Sequence, residues 1–141
     1  MVIPDKFEVK QKLLTIGLDM HLKNNGDTFA RVIQRLSFGE KYELTDMNER
    51  IVAIGKEKLF KLGTHYEIMT PEGAPIGTFD HELMKSLFSW KSKYCIKDQN
   101  GVPRLYTEEL DFFGTDVKIF DGHKNIVCEM SKPMFSIRDK W

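Results

Sequence analysis

Almost nothing in this sequence announces chemistry, and each absence closes a class of function. There are 2 cysteines, Cys95 and Cys128, with no CxxC pair and no Cys/His cluster. That is too few for a disulfide framework or a zinc site, so a reduced, cytoplasmic chain with no metal is expected. Lysine plus arginine number 21 and aspartate plus glutamate 21. No global field then draws nucleic acid or an anionic membrane, and no nucleic-acid partner is expected. The longest uninterrupted apolar run is Ile51 to Ile54, far short of the ~20 residues that a membrane-spanning helix needs. The start, MVIPDKFEVKQK, lacks the basic flank and apolar stretch of a secretory signal, so no export is expected. No GxSxG, HExxH, P-loop or GxGxxG string occurs, and no catalytic residue or cofactor is expected from motifs.

What is present is a repeat. Hydrophobic residues make up 41% and charged residues 30%, the balance of a globular chain rather than a disordered one. At 141 residues it fits one domain, 1–141, burying roughly two thirds of its unfolded surface. Within it, LLTIG ending at Gly17 recurs as RLSFG ending at Gly39, LFKLG at Gly63, LFSWK at Lys91, LDFFG at Gly114 and MFSIR at Arg138. The closing positions lie 22, 24, 28, 23 and 24 residues apart, a period that defines the architecture.

After each corner, apolar residues occupy every second position: Met20/Leu22, Tyr42/Leu44, Tyr66/Ile68, Tyr94/Ile96 and Val117/Ile119. That is strand spacing. Each stretch meets a turn-rich patch, NNGD, DMNE, PEGAP, DQNG or DGHKN, whose Gly, Asn and Asp residues supply positive φ. A longer run then climbs to the next corner. The prediction is an all-β, antiparallel up-and-down barrel of about eleven to twelve strands built from hairpin units, since so many strands curl an open sheet. The long interval falls in TFDHELMKSLFSW, so residues 79–88 are open to strand, bulge or short helix. Both Ile51/Ala53 and Val52/Ile54 are apolar, which suggests a curved wall bending near Gly55.

Candidate site residues are few. His21, His65, His81 and His123 sit in four different units, and structural or exposed roles are expected for all four. His65 precedes an inward Tyr66 and should face out. His21 and His81 stand near Asp19 and Glu82, on the reading that adjacency along a strand points side chains apart. Glu108-Glu109 face opposite sides and do not form a hydrolase pair. Lys56, Lys58 and Lys61 alternate along one strand, and Lys85, Lys91 and Lys93 surround a later corner. These six are the candidate anion or headgroup residues; a row of strand lysines also blunts a sheet edge. Trp90 occupies a corner position filled elsewhere by Phe38, Leu62, Phe113 and Ile137, where packing is expected.

The strings LFSWKSKYCIKDQNG and LFKLGTHYEIMTPEG, each a corner followed by Tyr-x-Ile and a turn, resemble the tubby C-terminal-like superfamily. Within it they are most similar to the LURP-one-related branch, and the likeness runs over nearly the whole chain. The resemblance implies a twelve-stranded antiparallel barrel around a very hydrophobic helix near the C-terminus. Here strands one to eleven can be read, Asp139-Lys140-Trp141 begins a twelfth, and no apolar helix follows. The expectation is an unpaired edge and an apolar channel, covered by a neighbouring chain, a ligand or collapse of the wall.

The resemblance also implies a non-enzymatic binding module. Tubby proteins hold phosphoinositide headgroups with a basic patch, and scramblase-like relatives associate with membranes. The headgroup pattern of tubby proteins has no residue-by-residue match here, so no lipid-binding residue is transferred. Three ligand classes stay open: a phospholipid headgroup or membrane surface, an apolar ligand, and a protein partner, including self-association through the open barrel edge. Two alternatives stand beside them: a structural or oligomerising domain, and a small-molecule enzyme using His65 or His81 beside a carboxylate in the barrel mouth.

Overall fold

The computed structural model describes residues 2–11, 18–35, 37–59, 64–85, 90–108, 110–111 and 116–131. These form β1 (Glu8–Gln11), β2 (Asp19–Asn24), β3 (Asp27–Arg35), β4 (Lys41–Asp46), β5 (Ile51–Glu57) and β6 (Thr64–Met69). Then follow β7 (Pro75–Lys85), β8 (Trp90–Asp98), β9 (Pro103–Thr107), β10 (Leu110–Asp111), β11 (Asp116–Asp121) and β12 (Ile126–Ser131). One sheet takes all twelve in chain order, except that β10 leaves the path to pair with β8 and β11 follows β9. Every pairing is antiparallel. The up-and-down, barrel-like sheet expected from the repeat is therefore present, but among the described residues β1 and β12 are not hydrogen-bonded to each other and the sheet stays open.

The hairpins are closed by one device used four times. Asp46, Thr70, Asp98 and Asp121 each accept a backbone N–H from the residue three on, at 2.9 to 3.1 Å, and donate to the carbonyl four on, at 2.8 to 3.0 Å. The residue three on takes positive φ: Glu49 61°, Gly73 88°, Gly101 78° and Lys124 64°. In the three aspartate turns a carboxylate oxygen also accepts the N–H groups two and four residues on, at 2.8 to 3.0 Å, the Asx geometry that makes Asp a turn former. The β2–β3 connection is instead the two-residue Asn25-Gly26, both at positive φ, as a tight right-twisted hairpin requires.

Next to each of these five turns the register slips by one. Phe29, Val52, Ile76, Arg104 and Val127 are the extra residues, skipped between paired neighbours. A bulge increases local twist and bends the strand, and five at the same end of the hairpins curl the whole sheet. They also explain why apolar residues occupy both phases of Ile51–Ile54: Val52 is the extra residue, so alternation restarts across it.

Two other expectations resolve here. β7 runs as one strand through Lys85, paired with β8 from Gly77 opposite Asp98 to Lys85 opposite Trp90. The helical alternative for 79–85 is thus replaced by strand, while 86–89 lie outside the described residues. The count reaches twelve because the run after Pro103 breaks into β9 and β10. The start of a twelfth strand expected at Asp139 lies outside the described residues, as do most of the repeated corners.

The pleat sorts side chains onto two faces. Leu22 faces Ala30, Val32 faces Leu44, Tyr66 faces Phe79, Phe79 faces Ile96, and Val117 faces Met130, giving one apolar face. The other carries His21 opposite Arg31, Lys41 opposite Lys56, and His65 opposite Asp80. Burial is inverted from a filled barrel: Ala30, at 0% exposed, is the one buried hydrophobic among the described residues, while Asp19, Glu43, Thr45, Asp80 and Thr107 are buried polar groups.

Candidate functional site

The apolar face supplies a groove of about 330 Å³. Phe79 comes to it from β7, Tyr94 and Ile96 from β8, and Leu105, Tyr106 and Thr107 from β9. Val117 and Ile119 of β11 and Met130 of β12 complete it. In a flat sheet β7 and β12 would stand roughly 19 Å apart at ~4.8 Å per strand. Their meeting around one small cavity means that the sheet curls, with the apolar face concave. The polar groups in the wall are already engaged or sparse: Thr107 Oγ1 accepts the Tyr94 N–H at 3.0 Å.

An aromatic lane leads away from this groove. Tyr94 stacks on Phe79 at 5.3 Å and on His81 at 4.7 Å, Phe79 meets Tyr66 at 6.2 Å, and Tyr66 meets Tyr42 at 5.8 Å. Tyr42 and Tyr66 reach each other across β5 because Gly55 stands opposite both Tyr42 and Ile68 and presents no side chain there. Both phenols donate to Glu40 Oε2, Tyr42 at 2.8 Å and Tyr66 in a shorter contact. The Tyr66 bond, then that of Tyr42, holds the Glu40 carboxyl below its ordinary pKa. Burial, and next the same carboxylate, push both phenols above theirs, so the cluster is one anion with two neutral donors at ordinary pH.

The opposite face carries three buried acids, each covered by cations. Glu43 accepts from Lys41 Nζ at 2.8 Å and from Arg35 Nε at 2.8 Å, and in that order they lower its pKa. Asp80 is pushed up by burial, but the bonds from His65 at 2.7 Å and Lys97 at 2.6 Å outweigh this and leave it low. Asp19 takes Arg31 at 2.9 Å and lies 3.6 Å from His21 Nε2. That contact corrects the reading that Asp19 and His21 point apart: they are two residues apart on one strand, so the pleat puts them on the same side. His65 faces away from Tyr66 as expected, and His123 lies in a turn. The four histidines do not converge.

Of the six candidate lysines, Lys56 and Lys58 lie together at the end of β5. Lys56 is exposed between Lys41 and Glu67, and Lys58 pairs with Glu67 at 3.2 Å. Lys93, on β8, is three strands away with its Nζ 5.9 Å from the centre of the Tyr106 ring. The backbones of Lys85 and Lys91 pair with those of Trp90 and Met84, and Lys61 lies outside the described residues. The six therefore do not form one row. Sequence reasoning missed Arg35, Lys41 and the Glu40–Tyr42–Tyr66 cluster, because each depends on which strand lies alongside.

The LURP-one-related family profile matches residues 5–141. The chain belongs to the LURP-one-related family. No curated protein and no solved structure matches it. Membership agrees with the all-antiparallel, barrel-like sheet of this LURP-one-related chain, and it supports function at the level of a tubby-like binding domain. Among its described residues no group of three or more His, Cys, Asp or Glu is arranged to hold a metal ion.

Proposed function

We propose that this LURP-one-related chain is a non-enzymatic binding module that takes an apolar ligand, of the size of a medium-length acyl chain, in the concave groove. The observation that carries this is the groove itself, about 330 Å³ with apolar walls, within the range of small-molecule sites. The half-exposed face around it supports the same reading, since Ala30 alone among described hydrophobics is buried. An apolar surface that the described residues leave half-exposed supports a docking site.

Covering the seven apolar side chains that face the groove, Tyr106 pointing to the other side of β9, recovers about 1 kcal/mol each, on the order of 7 kcal/mol gross. Association costs remove at least about 4 kcal/mol of this, so affinity for a simple hydrocarbon chain is about millimolar or weaker. With Thr107 already bonded, the walls offer little to orient a polar ligand, and selectivity comes from length and shape. The test is displacement of a fluorescent fatty acid by dodecanoic acid, with Ile119→Trp as the blocking variant. Saturable displacement that disappears in Ile119→Trp supports the reading; equal binding by both proteins contradicts it.

A further inference from the structure

We infer a second, separate site on the charged face, where Arg35, Lys41 and Lys56 form a receptor for a phosphate monoester. The register puts Arg35 directly opposite Lys41 and Lys41 directly opposite Lys56 on β3, β4 and β5. Cations facing each other across strands repel, and three in a row on a chain with equal numbers of acids and bases is a local excess. One carboxylate lies among them. Glu43 is 6% exposed and both its oxygens are in use, Oε1 by Lys41 and Oε2 by Arg35.

Three cations and one carboxylate leave two positive charges, matched to the charge of −1.5 to −2 that a phosphate monoester carries at neutral pH. Arg35 bonds Glu43 through Nε alone and its side chain is 53% exposed, so its Nη groups are available for the bidentate contact that suits phosphate oxygens. Lys56 is exposed and makes no ion pair with a described residue. Other nearby acids are committed elsewhere: Glu67 to Lys58, and Glu40 to the tyrosines of the opposite face. Asp46, Glu49, Glu72, Asp98 and Asp121 stand at the other end of the sheet, in or beside the hairpin turns. The three cations are thus a local excess of positive charge that attracts an anion.

A phosphate monoester has two sources here, a free metabolite-sized ester or a lipid headgroup, and the experiment separates them. The whole chain at low salt is titrated with glycerol 3-phosphate while the amide resonances of Arg35, Lys41 and Lys56 are followed. In parallel it is sedimented with phosphatidylcholine vesicles with or without one tenth phosphatidic acid. The expected result is saturable shifts at the three residues, at least tenfold weaker in Arg35→Gln and in Lys56→Glu and unchanged in the charge control Lys118→Gln/Lys124→Gln. Lys56 does not touch Glu43, so its variant remains informative if Arg35→Gln disturbs the fold. Binding of the ester without enrichment on phosphatidic acid supports the site and assigns a soluble ligand. Binding to phosphatidic acid vesicles that is lost in Lys56→Glu supports it and assigns a lipid. Absence of both, or equal weakening in the charge control, overturns it.

Discussion

At the scale of single residues, the four matched turns compare glycine with other residues at one backbone position. Gly73 and Gly101 hold it at φ 88° and 78°, whereas Glu49 and Lys124 are forced to 61° and 64°. A residue with a Cβ pays roughly 1–2 kcal/mol in this conformation, partly offset by the greater chain entropy that glycine loses. Glu49→Gly and Lys124→Gly should each stabilise the fold by about 0.5–1 kcal/mol, measured as a higher urea midpoint at unchanged slope. A lower midpoint would contradict this. The buried acids contribute to the pH dependence. Glu43 and Asp80 have folded-state pKa values below their ordinary ones, so the native state binds fewer protons than the unfolded state as pH falls past about 4. Their contribution is complete above the unfolded pKa and is lost as pH drops through the depressed folded values. Thermal midpoints should be level from pH 7 to about 5 and fall below about 4. In Asp80→Asn the neutral-pH midpoint should be lower and the acid decline shallower, and an unchanged acid decline would remove Asp80 from the account.

At the scale of elements, the five bulges explain both the curl and the run of exposed apolar residues near the turns. Val52 is 37% exposed, Ile76 48% and Val127 51%, because each is the extra residue that the neighbouring strand skips. Changing all three to Thr should alter stability by less than about 1 kcal/mol; a loss above about 2 kcal/mol would mean that they pack. Gly77 behaves in the opposite way. A Cβ there would meet the Lys97 carbonyl oxygen at 2.2 Å, whereas at Gly55 the nearest atom is Tyr42 Cβ at 4.0 Å. Gly77→Ala should therefore cost about 1–3 kcal/mol and Gly55→Ala almost nothing, compared by chemical denaturation. Strands and turns were legible in the sequence because alternation and Asp/Gly punctuation are local signals. The break between β9 and β10 and the position of each bulge were not, since a slip of one residue leaves composition unchanged. The basic row was half legible: Lys56 was visible as an exposed strand lysine, but Arg35 and Lys41 join it only through the pairing of β3, β4 and β5.

At the scale of the whole molecule, a neutral, motif-poor chain has become an antiparallel sheet with two unlike faces. The repeat foretold the apolar face, because Tyr66, Tyr94, Ile96, Val117 and Ile119 all occupy the inward phase of their strands. The groove between β7 and β12 was not foretold, since it exists only once the sheet has curled far enough to bring Phe79 and Met130 to one cavity. The central claim is that this apolar face receives an apolar ligand. The most direct measurement is a methyl-labelled NMR titration of the whole chain with dodecanoic acid. Saturable shifts are predicted at Ile96, Leu105, Val117, Ile119 and Met130, with the exposed methyls of Ile76 and Val127 unmoved. No saturable shift at the groove, or equal shifts at all seven residues, would contradict the account.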